Sequence, residues 1–517
     1  MNLAGLLRDN AARLPDKVAV DAPEGLHTYA AVWARTQALM QWLQAQGVQP
    51  GQRVAGALRD TTDHLLLHFA VAGLGAVWVP LDHRWSAAEK AAAIAAFAAS
   101  HVIAVDPPAQ WPVTDVGFAV GSAVGSAVGS AVSSVMGSAM TAAGVEVPLA
   151  AGDDAPWLIS LSSGSTGRPK GALVTHTQMH ERFISQWATL GFSAADRFAL
   201  VSPLCFGAGR SFGMAFLAVG GTVVLRPPPL SPEQLVEAIN TSASTAVFLV
   251  PTLMRRLLAL PGEERLFPGL RRLLVSGEPF FPSEVAQFRA RLSENLIGYY
   301  ASSEGGGISV LQPAEFLTHP DSVGRASHGV ELELVDEEGC VVAVGETGLV
   351  RYRGPGCARD FLDENGQPAA SDAAGWFMPG DLGTCDANGY LRLVGRAKDM
   401  ILRAGVNVYP AEVERVLREH AAVADVGVVG EPSASHGEQV VAFVALQSAA
   451  GGGGLSGSAG VGEDSLACSA EQLLAHCRER LASYKVPARI VFLSALPKAG
   501  MGKTDKKALR ALLATVS

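Results

Sequence analysis

The run Leu158-Ile-Ser-Leu-Ser-Ser-Gly-Ser-Thr-Gly-Arg-Pro-Lys-Gly-Ala-Leu-Val-Thr-His176 decides how the rest of the sequence is read. Leu158 to Leu161 read as a strand. It ends in small residues, Ser162, Ser163, Gly164, Ser165, Thr166 and Gly167, followed by Arg168, Pro169, Lys170 and Gly171. Small side chains let backbone N–H groups approach an anion, and the hydroxyls and the Lys170 ammonium add donors and charge. The composition is that of a phosphate-binding loop. It is not of the Walker type, which needs Gly, four residues, then Gly-Lys-Ser/Thr opening a helix. Here Pro169 precedes the lysine and Ala172-Leu-Val174 resumes an extended apolar run. The spacing predicts a strand-to-strand connection over a triphosphate.

A chain of 517 residues is too long for one hydrophobic core, since single cores stop growing near ~300 residues. With 49% hydrophobic and 17% charged residues it has ample material to bury. A formal charge of −9 argues against general nucleic-acid binding, which favours a basic face. Cys205, Cys340, Cys357, Cys385, Cys468 and Cys477 are dispersed, with no zinc spacing, so a reducing compartment and no structural metal are expected. No run reaches the ~18–20 apolar residues of a membrane span, and Met1–Arg8 is too short for a secretory signal. The expected location is cytoplasmic.

Apolar runs such as Thr222–Leu225 and Ala246–Val250 alternate with helical patterns, which reads as α/β with mostly parallel pairing. Gly-Ser-Ala-Val recurs from Gly121, Gly125 and Gly129, and the repeat then degrades toward Met140. Without charge or large side chains, residues 121–140 predict a mobile surface insertion. Residues 449–462, with Gly451 to Gly454 in a row, predict a second flexible loop. Near Gly395–Met400 a boundary is expected. Beyond it Pro410-Ala-Glu-Val-Glu-Arg-Val-Leu-Arg-Glu419 reads as a helix with proline in its first turn.

The ten positions from Ser162 to Gly171, ending in Arg-Pro-Lys-Gly, resemble the hallmark of the adenylate-forming superfamily of acyl-CoA and aryl-CoA ligases, adenylation domains and luciferases. The resemblance continues nearly to the end of the chain. Tyr300-Ala301-Ser302-Ser303-Glu304 is similar to the family's Tyr-Gly-x-Thr-Glu, with Ala301 and Ser303 as departures. It implies Tyr300 at the adenine, Ser303 on phosphate, and Glu304 holding Mg²⁺, a hard cation suited to carboxylate plus phosphate oxygens. Gly277-Glu278-Pro279 is similar to the turn lining adenine and acyl group. Gly375-Trp-Phe-Met-Pro-Gly-Asp381 resembles Gly-Trp-x-x-Thr-Gly-Asp, with Pro379 for threonine. It implies Asp381, with Arg396, on the ribose hydroxyls. Asp399 falls at the family's hinge, and Gly405 in the loop that faces the site during thioester formation. Pro497-Lys-Ala-Gly-Met-Gly-Lys503 resembles the loop whose lysine bridges substrate carboxylate and α-phosphate.

The resemblance implies an α/β fold: a large multi-subdomain N-terminal domain (1–395) with mixed, mostly parallel sheets, and a small mobile α+β C-terminal domain (396–517). It implies an ATP-dependent carboxylic acid–CoA ligase that makes acyl-AMP and then acyl-CoA. The alternative is a stand-alone ligase loading the phosphopantetheine of an acyl carrier protein. ATP, Mg²⁺ and coenzyme A are the implied cofactors and co-substrates, and a monomer or homodimer the implied assembly. A non-catalytic nucleotide-binding protein is disfavoured because Glu304, Asp381, Arg396 and Lys503 are all present. A kinase is disfavoured by the failed Walker patterns.

Pro203-Leu-Cys-Phe206-Gly207-Ala-Gly-Arg210 bears on substrate class. Amino-acid-activating relatives place Phe-Asp here, so Gly207 removes the counter-charge for an ammonium group. An aromatic or medium-sized acyl acid is expected, with Gly305, Gly306 and Gly307 leaving room for it. For Arg210 the first expectation is a structural salt bridge, with a polar tail on the substrate as the other reading.

Overall fold

The computed structural model describes residues 1–104, 146–150, 154–163, 169–277, 282–363, 365–369, 372–404, 406–433, 437–447, 468–498 and 503–513. The 121–140 repeat, the 449–462 loop, and Glu278, Pro279, Gly405, Gly500 and Gly502 lie outside them. So do Gly164, Ser165, Thr166 and Gly167, and only the backbone of Ser162 and Ser163 is described.

The deciding run forms a hairpin. Strand Pro156–Ser163 pairs antiparallel with Pro169–Thr175, and the last pair in register is Ser163 with Pro169. The hydroxyl-rich segment is therefore the hairpin's connection, as its spacing predicts. Thr175 then caps helix His176–Leu190 through a reciprocal bond with Gln178, which satisfies two otherwise orphaned amides.

Two large sheets carry the N-terminal part. A seven-stranded sheet runs parallel through His101–Ala104, Arg53–Ala57, Val77–Pro80 and Pro156–Ser163, and becomes antiparallel at the hairpin and its neighbours Asp360–Leu362 and Pro368–Ala369. A nine-stranded sheet runs parallel from Val18–Ala22 through Thr222–Leu225, Arg197–Leu200, Ala246–Leu249 and Arg272–Val275 to Leu296–Ser302, with antiparallel strands at both edges. Their central strands are short β-branched or aliphatic runs buried on both faces, the composition parallel strands require. Trp78, Trp157, Phe183, Phe198, Phe212 and Phe216 join one core. A four-stranded antiparallel sheet, Glu331–Val335, Thr347–Arg353, Asp381–Cys385 and Leu391–Arg396, completes this part.

From Ile401 onward the chain packs a core of its own. Ile401, Val408, Val413, Val416, Leu417, Val428 and Val440 cluster over a five-stranded sheet. The expected helix spans Pro410–Arg418, and Val413, Val416 and Leu417 form its buried stripe. Among the described residues no helix is long and apolar enough to cross a membrane.

Candidate active site

Parallel strands deliver their side chains to ligands at their carboxyl ends. Arg53–Ala57 leads into Asp60, Val77–Pro80 into Asp82 and Arg84, Arg197–Leu200 into Phe206, Arg272–Val275 into Gly277, and Leu296–Ser302 into Ser303 and Glu304. Gly277 turns the chain with φ +99°, a left-handed value that favours glycine.

Tyr300, Asp381 and Arg396 form one hydrogen-bonded chain. The Tyr300 hydroxyl donates to Asp381 Oδ2 at 2.5 Å, and Arg396 Nε donates to Asp381 Oδ1 at 2.7 Å. Asp381 begins one strand opposite Arg396, which ends its neighbour, so the antiparallel register creates the ion pair. Arg396 Nη2 also donates to Pro379 O at 2.9 Å. Burial, reinforced by the Asp381 carboxylate, holds the Tyr300 phenol far above its ordinary pKa, so it remains a donor. Burial opposes the Arg396 charge, but Asp381 outweighs it and the guanidinium pKa stays raised. Each Asp381 oxygen keeps a further lone pair for an outside hydroxyl.

The Ser303–Glu304 turn is fixed from behind. The Ser302 hydroxyl bonds the Tyr352 hydroxyl and accepts from the amides of Glu304 at 3.2 Å and Gly305 at 3.0 Å. Arg182, from helix His176–Leu190, donates to Gly356 O at 2.7 Å, to Ser303 O at 3.3 Å and to Glu304 O. Ala358 N also donates to Glu304 O at 2.9 Å. All of these hold backbone, and among the described residues the Glu304 carboxylate makes no hydrogen bond or ion pair. One uncommitted carboxylate fits Mg²⁺, which binds through one or two carboxylates plus substrate phosphates. A dedicated protein cage is a different arrangement, and the described residues hold no cluster of three or more His, Cys, Asp or Glu for one.

Sequence reasoning missed Arg182. Its signal is a charged residue on the buried face of an amphipathic helix, between Met179 and Gln186. The glycines after Glu304 need a different explanation from the acyl room expected of them. A Cβ at Gly305 would lie 2.2 Å from Tyr352 Cε2, and one at Gly307 2.4 Å from the Tyr299 hydroxyl. Aromatic rings already fill that space.

On the acyl side, Phe206 precedes helix Gly207–Val219, with the Arg84 guanidinium 5.8 Å from its ring centroid and paired to Asp82 at 2.6 Å. Asp60 Oδ1 accepts from Leu204 N at 2.8 Å, and burial pushes its carboxyl up to about 6. Arg210 is buried and donates Nη1 to Cys205 O at 3.1 Å. The expected salt bridge is absent: among the described residues no carboxylate pairs with Arg210, and burial lowers its pKa to about 10.

The C-terminal elements are tied elsewhere. Arg510 Nη2 donates to Asp399 Oδ1 at 2.9 Å, linking the expected hinge to helix Lys506–Leu513. Lys498 pairs with Asp425 at 2.6 Å and Lys506 with Glu414 at 2.8 Å. Lys503 is exposed beside the bridge between Lys498 and Thr504. The described contacts unite Tyr300, Asp381 and Arg396. Lys170 is exposed and in register with Ser162 on the hairpin.

The model of the AMP-binding enzyme family matches residues 7–362, and that of the AMP-binding enzyme C-terminal domain matches 412–503. The chain belongs to this family. Among relatives of this AMP-binding enzyme, the indoleacetate–CoA ligase of Aromatoleum aromaticum is 30% identical over 99% of this chain and 98% of its own. A feruloyl-CoA synthase of an Amycolatopsis species is 32% identical over 93% of both. Among solved structures, the o-succinylbenzoate CoA synthetase of Bacillus subtilis, in complex with its acyl-adenylate intermediate, superposes with a TM-score of 0.83 at 25% identity, covering 98% of this chain and 97% of that one. The amide bond synthetase McbA of Marinactinospora thermotolerans gives 0.82 at 26% identity, covering 99% of each chain.

Proposed function

We propose that this AMP-binding enzyme is an ATP-dependent carboxylic acid–CoA ligase acting on an aromatic or medium-sized acyl acid. The Tyr300–Asp381–Arg396 chain carries the proposal, because its two carboxylate oxygens and fixed cation suit the paired hydroxyls of a ribose. A carboxylate is a poor electrophile. Its oxygen therefore attacks the α-phosphate of ATP, one P–O bond forms, another breaks, and pyrophosphate leaves. Positioning and charge neutralisation govern such a step. The hairpin from Ser162 to Lys170 holds the polyphosphate, Asp381 and Arg396 the ribose, and Tyr300 and Gly277 the base. Mg²⁺ at Glu304, when bound, offsets phosphate charge. Lys503 bridges the reacting carboxylate and the α-phosphate. In the second step the CoA thiol attacks the acyl carbonyl, its proton is lost, and AMP departs.

We place the domain boundary at 395–396, with Asp399 as pivot, so that withdrawing Lys503 presents the Gly405 loop to the pantetheine arm. Phe206 and Gly207 border the acyl site, and the lack of an acid at 207 favours acids without an ammonium group.

Product analysis tests this reading. With ATP, Mg²⁺, CoA and an accepted acid, AMP, pyrophosphate and thioester are expected in equal amounts. ADP in place of AMP would contradict it. Offering holo-carrier protein against free CoA identifies the acceptor, and free CoA is the expected one.

A further inference from the structure

Four buried polar atoms find no partner among the described residues where helix Thr62–Gly73 meets strand Val77–Pro80 and helix Gly207–Val219: His64 Nε2, His68 Nε2, Trp78 Nε1 and Arg210 Nε. Their residues are 1, 0, 0 and 3% exposed. The rings form one cluster, with centroids 5.2 Å apart for His64 and His68, 5.3 Å for His68 and Trp78, and 6.1 Å for His64 and Trp78. The Arg210 guanidinium lies close enough to disfavour protonation of both imidazoles. The two helices are in close contact here, since a Cβ at Gly213 would sit 3.2 Å from Leu65 Cδ1. Unmade hydrogen bonds in a dry interior are costly, so four in one place call for an explanation.

The chemistry of the four atoms is fixed by their neighbours. His64 Nδ1 faces Arg59 O at 3.2 Å and His68 Nδ1 faces His64 O at 2.8 Å. A carbonyl only accepts, so Nδ1 carries the hydrogen in each ring. Burial holds both imidazoles well below their ordinary pKa, which leaves them neutral and makes each Nε2 a bare acceptor. Arg210 Nε–H and Trp78 Nε1–H are donors. The cluster therefore needs a group that both gives and takes a hydrogen bond. A carboxylate only accepts and would meet two imidazole lone pairs. A bare ring edge or methyl group satisfies nothing. A hydroxyl satisfies both kinds.

One member of the cluster, Arg210, lies on the helix that begins beside Phe206 and Gly207, the residues proposed to border the acyl site. Gly207 at the start of its helix is exposed, Phe206 beside it is half-buried, and Arg210, within the first turn, is buried. We propose that His64, His68, Trp78 and Arg210 form the far end of the acyl pocket and select acids bearing a phenolic or alcoholic hydroxyl remote from the reacting carboxylate. The assignment rests on the ligase reading above.

Acid-dependent exchange of labelled pyrophosphate into ATP by the full chain tests it. The acids are cinnamic, para-hydroxycinnamic and para-carboxycinnamic acid, together with octanoic acid and its terminal hydroxy derivative. In at least one series the hydroxylated acid should exceed its unsubstituted partner in kcat/KM by about tenfold or more, and Arg210→Met or His68→Leu should bring that ratio toward one. Thermal unfolding of each variant checks its fold, and the wild-type ratios decide the matter even where a variant fails to fold. Equal or better use of the unsubstituted or carboxylated acids in both series would overturn the subsite, as would a preference that survives both substitutions. Exchange with none of a wider set of acids would remove the ligase reading itself, and the subsite with it.

Discussion

Arg182 shows how one buried charge shapes a surface it does not reach. Its guanidinium is spent on the carbonyls of Gly356, Ser303 and Glu304, so the turn that presents the Glu304 carboxylate is held without using that carboxylate. Burial lowers the Arg182 pKa, a cost the three carbonyl bonds offset. Arg182→Met removes every donor and leaves buried acceptors unmade. It should destabilise the N-terminal part by about 3 kcal/mol, seen as a lower urea midpoint, and should reduce kcat more than it raises KM for ATP. An unchanged midpoint would show that the carbonyls find other donors. Tyr300, Asp381 and Arg396 were legible in the sequence because each sits in a short motif whose spacing is kept. Arg182 was not, and Arg210 was singled out with a salt bridge that the described residues do not show. An arginine carries no mark of its partners, and only the packed helices show one on three carbonyls and the other without a carboxylate partner among the described residues.

At the scale of elements, the hairpin was legible from proline and lysine following the hydroxyl-rich run, and the Pro410 helix from its first-turn proline. The four-stranded sheet that carries Asp381 was harder to see, because the strand that ends at Arg353 pairs with the one that begins at Asp381 across a long connection. Helix His176–Leu190 shows how such an element is anchored. Leu3 N donates to His176 Nδ1 at 3.3 Å, fixing the N-terminal helix to the end of the hairpin. Burial holds the His176 pKa at about 4, below its ordinary 6.5. Between those values the unfolded chain binds a proton that the folded one does not, so stability falls as pH drops from about 6.5 toward 4. Urea midpoints at neutral and mildly acid pH should show this loss, and His176→Gln should lessen it, leaving the share of His64 and His68. A slope identical in the variant would place the titration elsewhere.

The hinge belongs to the same scale. Asp399 is held by Arg510 in the arrangement seen, so the pivot is tied to the terminal helix. Asp399→Pro fixes the local backbone and should spare one half-reaction while abolishing the other. Pyrophosphate exchange, compared with thioester formation from supplied acyl-AMP, separates the two. Equal loss of both would argue against a pivot at this residue.

The whole molecule has separate cores before and after the proposed hinge, and Lys503 falls in the C-terminal part of the chain. No reading of the sequence could place it, because the position of a terminal loop depends on how two bodies sit together and not on local pattern. The proposed two-step reaction asks that cation to serve at the α-phosphate first and then to leave room for a thiol, which a pivoting small domain provides.

The account stands on acid activation, and the most direct measurement is acid-dependent exchange of labelled pyrophosphate into ATP, with the wild type and Lys503→Ala run side by side. Exchange with at least one aromatic or medium-chain acid is predicted, falling by about a hundredfold or more in the variant, while the variant still converts supplied acyl-AMP to thioester. A folded wild type that exchanges with no acid, or a variant that exchanges as fast as the wild type, would contradict it.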